Sequence, residues 1–477
     1  MKLNERNLEA LGKQGISVPA YDRRHLKRAI VHIGLGHFHR AHFLTYLDTL
    51  IRQGDTDWGV FETDIIPSGV LRGKLERQDF LYSLLTLAPD GTRELRVNGP
   101  VLGYSADPEE VLSALSSPET KLITLTITEK GYAYDDRTGS LDFSHPGIIH
   151  DLKGEGLPVT AAGFLALSLK NRFLTQSPVT IMSCDNVPEN GVMLRRAVLE
   201  MARHLYPEIV PWIEECIAFP STMVDRITPG TTAEDLTALS ERYGLEDELG
   251  VHSESFLQWV IEDKNATPIP DFSKAGALVV PDVKPYELMK IRLLNGSHSA
   301  LSYPAYMLGI KLVHEAAVEP AVHAFIRDRY MEELSQTLPP VPGMDLAGYK
   351  DELIRRFSNP YIADTILRLC SDGSKKIANA MLRPLEEALD KKLGVEAVSD
   401  ALALWEFFYL YKDQDGNPMP LDDPAAQELL AAADSPRDFL RIAGLASQDE
   451  SLFRGMEERL LFLKEKGVRE FLQRMDA

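Results

Sequence analysis

The run IVHIGLGHFHRAH, residues 30–42, constrains this chain more than any other stretch. A short β-rich segment, Ala29 to Ile33, leads into Gly34 and Gly36. Phe43, Leu44, Leu47, Leu50 and Ile51 then recur at helical spacing up to a glycine stop at Gly54. A second β-rich run, Trp58 to Phe61, follows, so the opening unit reads strand, glycine turn, helix, strand. A turn without side chains lets a pyrophosphate reach backbone N–H groups at a helix N-terminus, where the dipole favours negative charge. The third glycine of G-x-G-x-x-G is missing, because position 39 is His39, so an ordinary tight strand-to-helix turn fits the same residues. Arg40 adds a local positive charge that favours the dinucleotide reading.

That charge matters in a chain with 51 Lys plus Arg against 71 Asp plus Glu, a formal net charge of -20. Such a balance repels nucleic-acid backbones and anionic membrane surfaces, so a bound phosphate needs a locally built positive pocket. The 477 residues, 44% apolar and 26% charged, are enough for two or three folded domains with substantial cores. The three cysteines, Cys184, Cys216 and Cys370, match neither a disulfide framework nor a zinc cluster, which fits a reducing compartment. With no signal-like or membrane-length apolar run, the expected location is the cytoplasm, with no obligate protein partner evident.

Further β-rich runs, Leu122 to Ile127, Val179 to Met182 and Gly276 to Val280, alternate with amphipathic segments. The pattern predicts an α/β fold whose mostly parallel sheet is covered by helices. From about Pro285 the strand-like runs stop, and residues 310–335, 345–357, 376–392, 396–412 and 455–474 carry apolar residues at helical periods. Pro339 to Gly343 and Asp415 to Pro420 mark loops within this half. The expected division is a Rossmann-type domain over 1–284 and a mainly α-helical substrate-binding and catalytic domain over 285–477.

In an open parallel sheet, ligands bind beyond the carboxyl ends of the strands. Three such ends carry polar groups: Thr128 to Tyr132 (TEKGY), Ser183 to Asn186 (SCDN) and Val224 to Pro229 (VDRITP). Glu62 and Asp64 follow the second strand at the distance where an acid binds the adenosine ribose, and no Lys or Arg follows until Arg72, which favours NAD over NADP. KIRLLNGSHSALSY, residues 290–303, reads as a helix; at roughly 100° per residue Asn295 falls about 140° from Lys290, with His298 between them on one broad face. An amine, an amide and an imidazole beside a hydride acceptor supply a base for a hydroxyl proton and donors for the developing alkoxide. A competing class is a metal-dependent hydrolase using His37 and His39, since His-x-His after a strand presents two imidazoles to one ion. The preceding glycines fit that poorly, and the expected metal content is none.

Five motifs in order, G-x-G-x-F-x-R-A-H, T-E-x-G-Y, S-C-D-N-x-x-x-N-G, V-D-R-I-T-P and K-x-R-x-L-N-G-S-H, resemble the long-chain polyol dehydrogenases of the mannitol 2-dehydrogenase family, from about residue 25 to beyond 380. The resemblance implies a zinc-independent, nicotinamide-dependent oxidation of an acyclic polyol to a ketose. It implies Lys290 as general base, Asn186 and Asn295 as the amides on the reacting oxygen, and His298 as a substrate-orienting group. Asp225, Glu129 and Glu287 are similar to carboxylates at the substrate pocket and proton route, and Arg368 and Lys376 in RLCSDGSKK to contacts with substrate hydroxyls. Gly34, Gly36, Phe38 and Arg40 would form the cofactor turn, with Glu62 and Asp64 at the ribose. Family members commonly place a glycine-containing turn after the second strand; this chain reads FETDIIPSG, so NADP stays open beside NAD. The fructuronate and tagaturonate reductases share the motifs, so a hexuronate is the alternative substrate, and a non-catalytic NAD sensor is a weaker one.

Overall fold

A computed structural model describes residues 1–65, 69–135, 139–413 and 416–474. Ile66, Pro67, Ser68 and Asp415, which figure in the sequence reading, lie outside these. Packing divides the chain into two units, Met1–Ala88 with Thr92–Val283, and Pro89–Gly91 with Lys284–Ala477.

In chain order the strands of the first unit are β1 (Ile30–Ile33), β2 (Val60–Thr63), β3 (Tyr82–Leu87), β4 (Arg93–Asn98), β5 (Val101–Ser105), β6 (Leu122–Leu125), β7 (Tyr134–Asp135), β8 (Ser140–Leu141), β9 (Thr180–Ser183), β10 (Thr222–Asp225), β11 (Val251–Glu254), β12 (Gln258–Glu262) and β13 (Leu278–Val280). β5, β2, β1, β6 and β9 lie side by side in that order, every neighbouring pair parallel. This is the doubly wound order, and it reverses between β1 and β6, where a ligand crevice is expected. β1, β2, β6 and β9 are buried at every position, as strands covered on both faces must be. One face packs on Phe43, Leu44 and Leu47 of the helix Phe43–Arg52 together with Trp259 and Phe272. The other packs on Phe164, Leu165 and Leu169 of the helix Ala161–Thr175.

The helix expected after the glycine turn is broken in two, His37–Ala41 and Phe43–Arg52, because His42 leaves helical geometry and its Nε2 pairs with the Gln258 carbonyl at 2.9 Å. β5 is the sheet's third strand in sequence, and the periodicity missed it. It follows β4 with no helix between, and it carries Gly103, whose missing side chain admits the Phe61 ring. Two expected members of the parallel sheet belong elsewhere. β13 pairs with β12, and β10 runs antiparallel to β12, in a separate three-stranded sheet. Leu278 and Val279 on β13 are exposed, so this β-rich run lacks the cover a doubly wound sheet gives its strands.

The second unit is helical. Its main elements are Lys284–Met289, Gly296–Met307, Leu346–Phe357, Arg383–Asp390, Glu396–Leu410 and Glu450–Gln473. Among the described residues, π-helical turns interrupt it at Lys290–Asn295, Phe325–Tyr330 and Ala378–Leu382. No described helix is long and apolar enough to cross a membrane. Cys184, Cys216 and Cys370 are free thiols.

Candidate functional site

At the point where the strand order reverses, Gly34 follows β1 with φ +103°, and a Cβ there would lie 2.2 Å from the Thr126 carbonyl oxygen. No other residue fits without moving the chain that leaves β6. Gly36 is exposed and meets nothing nearer than 4.0 Å, so that side of the turn is open to an approaching molecule. Asp64, one residue beyond β2, accepts a hydrogen bond from the Leu35 N–H at 3.2 Å and another from the Tyr104 hydroxyl at 2.9 Å. It is half-buried against the turn; burial raises its pKa, and the bonds from Tyr104 and Leu35 oppose that. Phe38 is half-buried with its ring stacked on His42.

Two residues expected at the cofactor are occupied inside the protein. Glu62 has no exposure and pairs through Oε1 with His39 Nε2 at 2.8 Å, so its carboxyl cannot reach a ribose outside the sheet. Position 62 lies within β2, where the side chain alternates into the covering layer, while Asp64 has passed the strand end. Arg40 is also buried; its guanidinium donates to the Leu249 and Gly36 carbonyls and lies over the Tyr82 ring. The local positive field expected from Arg40 is therefore spent on interior carbonyls, and burial lowers its pKa.

His32, in the middle of β1, is a residue the sequence reading passed over. It stands opposite Glu62 on β2 and Thr124 on β6. Its Nε2 faces the Gly34 carbonyl at 3.0 Å, which only accepts, so Nε2 carries the proton and Nδ1 accepts from Thr124 at 2.8 Å. The His39 ring stacks on it, centroids 3.3 Å apart and 12° from parallel. Burial lowers the pKa of His32 to about 3, with His39 adding to the effect, and raises that of Glu62 to about 7. His32, His39 and Glu62 bring possible metal-ligand atoms within 4.8 Å of one another. Two stacked imidazoles cannot aim in-plane lone pairs at one ion, and both His32 nitrogens are engaged, so the group is a brace beneath the glycine turn. This corrects the His37/His39 metal reading: His39 turns inward to Glu62 while His37 stays half-exposed. A polar residue inside an apolar strand was the available signal for this brace, since it requires polar neighbours across the sheet.

Beyond β6, the Thr128–Gly131 turn carries Glu129, which is exposed. Asp185, beyond β9, holds that turn: it accepts from the Ile127 N–H at 3.0 Å, the Thr128 N–H at 2.9 Å and the Tyr132 hydroxyl at 2.6 Å. Thr128 sits at φ +62°, a strained conformation that these bonds maintain. Asn186, next to Asp185, is exposed. Asn190 is a stitch rather than a candidate donor to substrate. Its amide nitrogen donates to the Asp185 and Thr222 carbonyls at 3.0 Å each, and its oxygen accepts from the Thr222 N–H at 2.9 Å. Gly191 lets the helix Asn190–Leu205 press on the Pro220–Ser221 backbone, 2.6 Å from where a Cβ would be. Through this stitch β10, although in another sheet, begins beside the end of β9, and Asp225 closes it at 4% exposure. Arg226 donates to the Glu254 carbonyl at 3.0 Å and to the Ala41 carbonyl, which gives the arginine of VDRITP a structural task.

In the second unit, Glu287, Lys290, Asn295 and His298 share one continuous helical run from Lys284 to Met307. The expected α-helical spacing is corrected here, because Lys290–Asn295 is a π turn. Five residues apart means roughly 140° apart around an α-helix, whereas i→i+5 closure sets residue i+5 about one turn above residue i on the same face. Lys290 is buried, at 6% exposure, Asn295 and Glu287 are half-buried, and the half-buried His298 packs its ring on Phe357, centroids 4.3 Å apart. Arg292, on the same turn, is anchored by 2.8 Å bonds to the Thr337 carbonyl and hydroxyl and a 2.7 Å bond to Glu387. Arg368 is clamped by Asp364 through two guanidinium nitrogens. Lys376 donates to the Ser371 carbonyl at 2.5 Å; burial and then the neighbouring Arg368 lower its pKa.

The chain matches two family models, the mannitol dehydrogenase Rossmann domain over residues 28–273 and the mannitol dehydrogenase C-terminal domain over residues 282–458. It is 39% identical to a mannitol 2-dehydrogenase of Phaeosphaeria nodorum over 94% of this chain and 80% of that one. It is 38% identical to that of Aspergillus fumigatus, covering 94% and 93%. Among solved structures, the Pseudomonas fluorescens mannitol 2-dehydrogenase in ternary complex with NAD and D-mannitol superposes with a TM-score of 0.89 at 34% identity, covering 100% of this chain and 99% of that one. A substrate-free D-sorbitol dehydrogenase superposes with a TM-score of 0.90 at 32% identity, covering 99% and 100%.

Proposed function

Because the chain belongs to the mannitol dehydrogenase family, we propose that it oxidises a secondary carbinol of an acyclic polyol to a ketose with NAD, Lys290 serving as the general base. The observation that supports this reading is the π turn, whose backbone sets positions 290 and 295 on one face of the helical run. NAD, when bound, would supply the acceptor for the hydride that leaves the carbinol carbon. Gly34 and Gly36 shape the turn that admits its pyrophosphate, and Asp64 is the carboxylate placed for the adenosine ribose, which disfavours the 2′-phosphate of NADP.

Lys290 takes the hydroxyl proton onto Nζ as the C–H bond breaks, while Asn295 and Asn186 donate amide N–H groups to the oxygen as it gains negative charge. His298, packed on Phe357, orients a neighbouring hydroxyl. Asp225, Arg368 and Lys376 are assigned to substrate hydroxyls, and Glu129 and Glu287 to the route by which the proton leaves Lys290. The pairing of Arg368 with Asp364 offsets the cation that a hexuronate carboxylate would need, which favours an uncharged polyol. Lys290→Ala is expected to lower kcat at least about 1,000-fold while leaving the NADH dissociation constant within about twofold. An alanine variant with near wild-type turnover at neutral pH refutes the base assignment.

A further inference from the structure

The three described π turns of the second unit converge on one glycine. Gly296 directly follows the turn Lys290–Asn295. A Cβ at 296 would lie 2.4 Å from the Tyr330 hydroxyl oxygen, 3.3 Å from Tyr330 Cζ and 3.3 Å from the Ala380 carbonyl oxygen. Tyr330 ends the π turn Phe325–Tyr330, and Ala380 lies within the π turn Ala378–Leu382. Tyr330 has no exposure, and its hydroxyl has no hydrogen-bond partner among the described residues. Leaving a buried hydroxyl unsatisfied costs about 1–3 kcal/mol.

A second contact fixes the same turn from its other end. Arg292 binds Thr337, just past the helix Met331–Ser335 that continues from Tyr330, and Glu387, in the helix Arg383–Asp390 that continues from Leu382. The turn is thus held on both sides by the elements that carry the other two π turns. A π turn contains one residue more than an α-helical path would, and relaxation to α geometry would rotate Lys290 away from Asn295 by roughly 100°.

We propose that the close contact between Gly296 and the Tyr330 ring holds the π register that presents Lys290 and Asn295 together, which makes Gly296 and Tyr330 positioning residues for proton transfer. The inference rests on the polyol dehydrogenase reading above. Glycine at 296 lets the phenol lie against the helix backbone, and the phenol fills the groove into which the turn would otherwise collapse. Neither residue needs to touch the substrate.

The test uses the full-length enzyme with NAD and mannitol. Gly296→Ala inserts a methyl where the Tyr330 hydroxyl sits, and kcat is expected to fall about 100-fold, the effect of a displacement near 1 Å at a reacting group, with the NADH dissociation constant within about twofold. The double variant Gly296→Ala/Tyr330→Phe removes the hydroxyl that the methyl strikes, and is expected to recover at least about tenfold of that loss. The pH profile of kcat is expected to shift in Gly296→Ala and return in the double variant, which a change of stability alone would not do. Turnover of Gly296→Ala within about threefold of wild type, or no recovery in the double variant, overturns the proposal. If Gly296→Ala does not fold, Tyr330→Ala, which removes the phenol without a clash, decides: a fall in kcat of at least about tenfold with intact NADH binding supports the proposal, and unchanged kcat overturns it. A wild-type enzyme that oxidises no polyol refutes the parent reading, whereas an active wild type with an active Gly296→Ala refutes this inference alone.

Discussion

Glu406 lies in the middle of the helix Glu396–Leu410 with no exposure, and neither carboxyl oxygen has a hydrogen-bond partner among the described residues. Burial pushes its pKa from 4.5 up to about 9, against the pull of Lys464 and with Asp434 adding to the rise. The folded protein therefore keeps a proton on Glu406 over a range in which the unfolded chain has lost it. A carboxyl raised in this way contributes most favourably below the unfolded pKa, and that contribution is lost as pH rises toward the folded one. Each unit in between costs about 1.4 kcal/mol, so from about pH 5.5 to about pH 8.5 the group subtracts about 4 kcal/mol from stability. Glu406→Gln keeps the shape and removes the titration. Guanidinium unfolding followed by far-UV circular dichroism, run on both proteins at those two pH values, gives the difference directly, because every other titrating group is common to both. The glutamine variant is expected to gain about 4 kcal/mol on wild type between the acidic and the basic condition. A difference that does not change with pH refutes the assignment of a neutral, buried Glu406.

At the switch point, Gly34→Ala must place a Cβ 2.2 Å from the Thr126 carbonyl at φ +103°. Strain of about 1–3 kcal/mol should weaken NAD binding by about 5- to 150-fold, read by quenching of protein fluorescence; unchanged affinity would separate the turn from the cofactor. Asp185→Ala strands the Ile127 and Thr128 N–H groups and the Tyr132 hydroxyl, and is expected to lower the unfolding free energy by about 2–4 kcal/mol. A stability loss below about 0.5 kcal/mol would contradict its role as the anchor of the Glu129 turn.

Apolar periodicity placed β1, β2, β6, β9 and the long C-terminal helices, because in those elements one energetic term, burial of an apolar face, decides the structure. It failed where that term is weak or shared. β5 carries a glycine and joins β4 without a crossover helix, and β13 is β-rich yet exposed at the edge of another sheet. The motifs do not tell which of their residues face outward. Arg40 stands four residues past Gly36 and Glu62 two residues before Asp64, and they are consumed by the Leu249 carbonyl and by His39. Asn190 and Arg226 proved to be stitches between strand ends, since a motif records necessity without distinguishing catalysis from support. The π turn at Lys290 had no signature in local spacing, because the groups packed on it, Tyr330 against Gly296 and Thr337 and Glu387 on Arg292, are distant in sequence.

The roles proposed for Lys290, Asn186 and Asn295 depend on polyol oxidation with NAD. The most direct measurement follows the NADH absorbance band with purified enzyme and NAD across mannitol, arabinitol and sorbitol, with fructose and fructuronate tested in the reverse direction with NADH. Polyol oxidation by this mechanism predicts NAD reduction by at least one of the polyols, reduction of the matching ketose, and rates indifferent to chelator. Turnover with fructuronate alone, or activity abolished by chelator in a protein that holds stoichiometric zinc, would contradict it.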